Sequence, residues 1–446
     1  MSIEEYLRVV TEQIRCRQAR EAIREEMKGH LEDQMEECMK SGMGREEAEA
    51  SAVRQMGDPI EAGVSLDRVH RPKTAWGMFV FIAILSMAGA GVQYFISIHC
   101  ENTQGFSLIS HLVYMTVGFA VMAEMYYLDY SFFGTYGKYM AIGFLAFMFL
   151  EVFFLGQVVN GAVVYAGGMN FSLRMVMICF VPLFGGVLYS YRGQGWKGIL
   201  KSMIFLMIPV WLTWRMPCLS LALLLFFTLM IMLSVAIMKG WFGGRGKKFL
   251  SVIWSMVVVC PPLLLWAGCR FGMFQEYQIA RLESLINRDE PMGKDYVYYR
   301  IREILNNAKF LGHREETADI SAILPEINTD FIITHLISYY GILSGIVIFA
   351  LFIFLVFKIF HISAKQKNQL GMMIGIGCGS IFALQILIYF AENIGLLPYS
   401  YVYLPLFSTG GTGMVVTYFL LGIVLSIYKY QDIPLKVKKK ELIIKI

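Results

Sequence analysis

Four carboxylates interrupt a strongly apolar chain: Glu124, Glu151, Asp330 and Glu392 each lie near the end of a long hydrophobic run. An ionised group at membrane depth is costly, so it is kept where it pairs, reaches water or does chemistry. For Glu124 and Glu151 the plainer reading, a carboxylate that reaches the interface or pairs locally, is preferred, and no role is assigned. Asp330 stands apart because it opens the run FIITHLISYYGILSGIVIFALFIFLVFK, with Glu326 one helical turn before it. A carboxylate so placed can take the proton of a hydroxyl nucleophile as a general base. Its competing reading is a helix N-cap, whose oxygen accepts from the first free backbone amides.

Charges of the opposite sign also lie near these runs. Arg281, Arg300, Arg302 and Arg314 precede Asp330, and Arg174 opens an earlier apolar run. Each taken singly also reads as a solvated charge. Gly410, Gly411 and Gly413 can bring backbone close to a lipid headgroup or to a neighbouring helix, and the two readings weigh equally.

These groups must be held by a membrane protein. Of the 446 residues 57% are hydrophobic and 16% charged, whereas soluble chains run at about 45–50% and about 25%. Runs long enough to cross a bilayer recur near 75–98, 106–128, 139–156, 171–190, 199–214, 217–238, 249–268, 331–358, 370–392 and 404–427. The expected fold class is all-α, with about ten spans in a membrane domain over 75–428.

Lys138, Arg192, Lys197, Lys201, Lys239, Arg245, Lys247, Lys248, Lys358, Lys365 and Lys367 fall in alternate loops, and a basic tail occupies 429–446. The positive-inside rule then puts both termini in the cytoplasm of a multi-pass protein and leaves 269–329 as one large outer loop. Nothing suggests nucleic acid. The eight cysteines form no CxxC pair, so neither a disulfide framework nor a zinc site is expected.

Residues 1–72 differ in kind: through residue 73 there are 12 Lys and Arg against 16 Asp and Glu. Periodicity predicts three amphipathic helices, 3–12, 17–40 and 45–56, with Ile23, Met27, Leu31, Met35 and Met39 on one face of the second. Gly57-Asp58-Pro59 is expected to stop the third. The segment SGMGREEAEASAVRQMGDP resembles the small helical (HAAS-like, or permease prefix) domains found ahead of membrane proteins, and it reads as a cytoplasmic docking or regulatory module.

AILPEINTDFI closely resembles the LPExHTDFIF signature of the FtsW/RodA/SpoVE family, the SEDS proteins of cell elongation, division and sporulation. ENIGLLPYSYVYLPLFSTGGTG resembles that family's VNIG…LPxxGxPLPxxSYGGSS, and VVNGAVVYAGGMNFS more weakly its NGAxRWIxxGxxxxQPSE. The resemblance implies peptidoglycan glycosyl transfer from lipid II at the outer face of the bacterial cytoplasmic membrane, beside a class B penicillin-binding transpeptidase, in wall growth, division, cell shape or sporulation. It marks Asp330 as the catalytic carboxylate. Arg281, Arg174, Glu326, Asn393, Ser408, Gly410 and Gly411 become candidates for substrate binding, with a divalent cation, Mg or Mn, as a possible helper and no organic cofactor.

The chain also departs from the pattern. Asn328 replaces the histidine before Thr329, Ser338-Tyr339 replaces an acidic pair, and QPSExxK has no counterpart unless Arg174 substitutes for its lysine. Two alternatives stay open: a non-catalytic scaffold or regulator that binds lipid-linked precursor or a transpeptidase, and a lipid II flippase or transporter.

Overall fold

The computed structural model describes residues 1–99, 108–159, 162–164, 172–216, 218–243, 246–270, 296–312, 324, 327–397, 400 and 402–433. Four helices precede the membrane domain: α1 (Ile3–Gln13), α2 (Arg17–Lys40), α3 (Arg45–Gln55) and α4 (Pro59–Val69). The fourth corrects the expected count of three. Gly57 takes φ +79 and ends α3, but Asp58 then accepts from the Ile60 amide with Pro59 in the first turn. The same three residues therefore stop one helix and start the next. Ile3, Tyr6, Leu7, Val10, Leu31, Ala52 and Val53 form this unit's own small core. Met39 lies outside it, 36% exposed.

The membrane domain continues with α5 (Trp76–His99), α6 (Leu108–Tyr127) and α7 (Phe132–Leu150), which runs into a π-turn at Glu151–Leu155. A short antiparallel hairpin follows, β1 (Gln157–Val159) with β2 (Ala162–Val164). Next come α8 (Leu173–Val176), a 3-10 turn and α9 (Phe180–Ser190), together one span, then α10 (Gly195–Arg215), α11 (Leu219–Met238) and α12 (Gly246–Arg270). After α13 (Tyr296–Asn306) come α14 (Ile332–Tyr340), α15 (Ile342–Ala364), α16 (Gln369–Asn393) and α17 (Gly411–Lys429). Among the described residues nine helices are long and apolar enough to cross a membrane.

Small residues let the spans approach closely. A methyl on Gly118 of α6 would lie 2.1 Å from the Tyr418 ring of α17, and one on Gly186 of α9 would lie 2.2 Å from the Phe133 carbonyl of α7.

The run 331–358 is not one helix. Gly341, at φ +88, separates the nine-residue buried α14 from the span α15. The break is held by the strand of chain after α13, since Ile342 N donates to Lys309 O (3.0 Å) and Leu343 N to Phe310 O (3.1 Å). The last span likewise starts at Gly411 rather than near 404, because the preceding residues turn back on Asn328 and Thr329.

The two parts of the chain meet at one end of the bundle. Lys73 Nζ lies 2.7 Å from Asp432, Lys73 N donates to Lys429 O (3.1 Å), and His70 Nδ1 is 2.7 Å from Asp432 O. Ile14, Ala19 and Ile23 join the core of the membrane domain at this face.

Candidate functional site

Asp330 lies at the opposite end of the bundle. Gln93 on α5 reaches its neighbour, and that glutamine stands 17 residues beyond Trp76, about 26 Å along a helix that starts at the prefix junction.

The tripeptide Asn328-Thr329-Asp330 is held by its backbone. The Asn328 carbonyl accepts from Gln93 Nε2 (2.9 Å), from Thr409 N (3.1 Å) and from Thr409 Oγ1 (3.2 Å). Ser408 Oγ (2.7 Å) and Tyr389 Oη (3.1 Å) donate to Thr329 O. Asn393 Nδ2 donates to Asp330 O (2.8 Å) and to Tyr389 O (3.0 Å). Buried carbonyls must be satisfied, and here helices far apart in the chain, α5 and α16, do it together with the loop before α17. Three successive carbonyls are fixed, so the Asp330 side chain projects from an immobilised base.

The cap position of α14 falls one residue after Asp330. Phe331 occupies the cap position of α14, and no side chain caps the helix there. The Ile332 amide is instead accepted by Tyr389 Oη at 3.3 Å. Asn393 completes the frame from α16: its Oδ1 accepts from Thr334 N (3.1 Å) and Thr334 Oγ1 (3.1 Å).

Asp330 is 6% exposed. A second carboxylate, Glu392, is 1% exposed and close enough to Asp330 for the two charges to interact. Ser400 binds it twice, from N (2.7 Å) and from Oγ (2.7 Å). Arg302 of α13 packs against Gly395, just after α16, which brings one expected cation to this end of the bundle. Arg174, partly buried in α8, is reached through Ser172, whose amide donates to Thr412 Oγ1 (3.0 Å) at the start of α17. A methyl on Gly411 would strike the Tyr114 ring, whereas Gly410 faces open space.

The structure thus brings together Asp330, Asn393 and Ser408 and sets Arg174, Gly410 and Gly411 beside the same loop. Asn393 and Ser408 bind the motif's backbone. Arg281 and Glu326 lie outside the described residues. Sequence reasoning missed Gln93, Tyr389 and Thr409. Gln93 carried one signal, an amide in an apolar run that must find partners when buried. Among the described residues no group of three or more His, Cys, Asp or Glu converges to hold a metal ion. Glu151, read as interfacial, is buried, and its Oε2 has no hydrogen-bond partner among the described residues.

Residues 73–433 match the family model FtsW/RodA/SpoVE, described as cell cycle protein. The chain is 23% identical to a probable peptidoglycan glycosyltransferase FtsW of Wigglesworthia glossinidia brevipalpis over 82% of this chain and 93% of the relative. It is 26% identical to a protein of the same name from Geobacter sulfurreducens, over 71% and 83%. With that of Trichlorobacter lovleyi it shares 26% over 52% of this chain and 57% of the relative. A chain solved in work on how a peptidoglycan synthase complex coordinates polymerization and crosslinking superposes with TM-score 0.65 at 17% identity, covering 80% of this chain and 99% of its own. The rod shape determining protein RodA of Thermus thermophilus superposes with TM-score 0.53 at 15% identity, over 80% and 97%.

Proposed function

This chain belongs to the FtsW/RodA/SpoVE family of cell cycle proteins, and from that premise we propose that it is a peptidoglycan glycosyltransferase that polymerises lipid II. The observation that carries the reading is the clamped Asn328-Thr329-Asp330 backbone, which presents a carboxylate at the end of the bundle opposite the prefix domain.

The chemistry follows from that placement. A sugar 4-hydroxyl is a weak nucleophile until its proton is taken. Asp330 accepts that proton while the hydroxyl oxygen forms the new bond to the donor's anomeric carbon. The bond from that carbon to the diphosphate oxygen breaks, and its electron pair leaves with the polyprenyl diphosphate. Arg302 and Arg174 are described cations at this end, suited to the developing phosphate charge. A rigid base spares the step the entropy of positioning it.

Mg or Mn would neutralise the diphosphate. The described carboxylates Asp330 and Glu392 are too few for a site made by protein alone, so the substrate's own oxygens would supply most ligands. Asp330 faces the outside of a bacterial cytoplasmic membrane in this reading, with both termini and the prefix domain in the cytoplasm and a class B penicillin-binding transpeptidase as partner.

Purified chain given lipid II and a divalent cation should produce glycan strands, and Asp330→Ala should produce none. The departures near Asp330, Asn328 above all, favour one second reading, a non-catalytic scaffold. Normal function in cells that carry Asp330→Asn would support it.

A further inference from the structure

A second concentration of charge lies at the prefix end of the bundle, away from Asp330. The start of α7 belongs to that end, since Ser426 Oγ in the last turns of α17 donates to Leu128 O just before it. Lys138 in α7, Arg192 between α9 and α10, Lys197 and Lys201 in α10 and Lys239 after α11 all fall there. From 131 to 275 the sequence holds one acid, Glu151, just past the far end of α7. None of the five cations has an ion pair among the described residues.

Rings and backbone hold these cations together. Lys138 Nζ and Lys201 Nζ lie 5.2 and 5.4 Å from the centroid of one ring, Tyr191, and the Arg192 guanidinium lies 5.8 Å from that of Trp241. Gly193 N donates to Trp241 O (2.8 Å), which ties the α9–α10 turn to the turn after α11. Lys201 Nζ donates to Gln194 Oε1 (3.0 Å). Gln194 stands at the cap position of α10, yet no side chain caps that 21-residue helix. Its first amides therefore open onto the same turn, an arrangement that favours phosphate.

Trp241 gives an independent sign of a ligand. It is 3% exposed, and its Nε1 has no acceptor among the described residues. A buried indole N–H needs an acceptor, and like charges held together need a counterion. One bound anion answers both. Trp196, Tyr136 and Tyr139 flank these turns, 53%, 54% and 72% exposed, as amphipathic rings do at the headgroup level of a bilayer. The anion met at that level is a lipid phosphate.

We propose that the α9–α10 turn and the turn after α11 form a binding site for the headgroup phosphate of an anionic phospholipid, held by Arg192, Lys201, the first amides of α10 and Trp241 Nε1. The site is separate from the reaction at Asp330 and does not rest on the polymerase reading.

The test uses full-length protein in phosphatidylcholine vesicles that contain phosphatidylglycerol with a photoactivatable headgroup, the label being mapped by mass spectrometry. Labelling should concentrate on 191–201 and 239–243. Added unlabelled phosphatidylglycerol should suppress it, and an equal addition of phosphatidylcholine should not. Arg192→Gln and Lys201→Gln should each lower it severalfold, as should Trp241→Phe, which keeps a ring beneath Arg192 but removes the N–H. Lys365→Gln, which removes an exposed charge at the same end just after α15, should leave it unchanged. Equal losses from Lys365→Gln and Arg192→Gln would mean a diffuse attraction to surface charge and would overturn the site. Labelling unaffected by Arg192→Gln or by Trp241→Phe would overturn it too, and suppression by inorganic phosphate but not by unlabelled phosphatidylglycerol would replace the lipid with a soluble anion. Arg192 and Lys201 reach solvent, so their variants decide the matter even where Trp241→Phe unfolds.

Discussion

Asn393 shows how a residue can serve a site through the backbone of another. Its amide, fully buried, joins Asp330 O, Tyr389 O and Thr334. Asn393→Ala should leave buried partners unsatisfied at a cost of about 1–3 kcal/mol, seen as a lower melting temperature, and should cut polymerisation because the Asp330 backbone loses its hold. Full activity with unchanged melting would contradict this. Asp330 was legible in the sequence because a charge in an apolar chain must be accounted for. Asn393 and Ser408 were legible only through resemblance. Tyr389 and Thr409 were not, since their task is to satisfy carbonyls of residues up to 81 positions away, and no local pattern records such a pairing.

The helices themselves were largely readable. The first three of the prefix and most spans fall where periodicity and hydropathy put them, because an apolar face or run has one favourable use. Breaks were harder. Hydropathy sees 331–358 as continuous, since Tyr340, Gly341 and Ile342 interrupt nothing in apolar character, yet the backbone turns there into a conformation that favours glycine. Gly341→Ala would carry the cost of positive φ, about 1–2 kcal/mol, and would also drive its methyl to 2.7 Å from Phe310 O. Gly42, at φ +95 in open space, provides the contrast. Gly42→Ala should show the conformational cost alone, so thermal unfolding of the two variants should differ, with Gly341→Ala the less stable. Equal melting would remove the close contact from the account.

The whole molecule is organised as two ends, a site around Asp330 and a junction where the prefix meets Asp432. Burial by itself would raise the Asp432 carboxyl, but the hydrogen bond and charge of Lys73, with Lys367 at 3.8 Å, hold it below the usual carboxylate range. Lys73 is raised in turn by its bond to Asp432. The contribution of Asp432 is therefore present above the ordinary carboxylate value of about 3.9 and is lost as pH falls through its lowered one. That of Lys73 is complete below the ordinary lysine value and is lost as pH rises through its raised one. Lys73 is half exposed, so the pair is worth less than about 1 kcal/mol. Asp432→Asn should still loosen the junction enough for trypsin to cut faster after Lys73 at neutral pH, and an unchanged cleavage rate would argue that the apolar contacts of Ile14, Ala19 and Ile23 hold the prefix unaided. The separation into an acidic helical prefix and a basic membrane part was plain from composition. That their junction is a specific ion pair was not, because Lys73 and Asp432 lie at opposite ends of the chain.

Strand formation by the purified chain from lipid II, compared between wild type and Asp330→Ala at equal amounts of folded protein, tests the central claim most directly. Polymer from the wild type and none from the variant is the predicted result. Equal polymer from both, or none from a folded wild type supplied with a divalent cation and its transpeptidase partner, would contradict it.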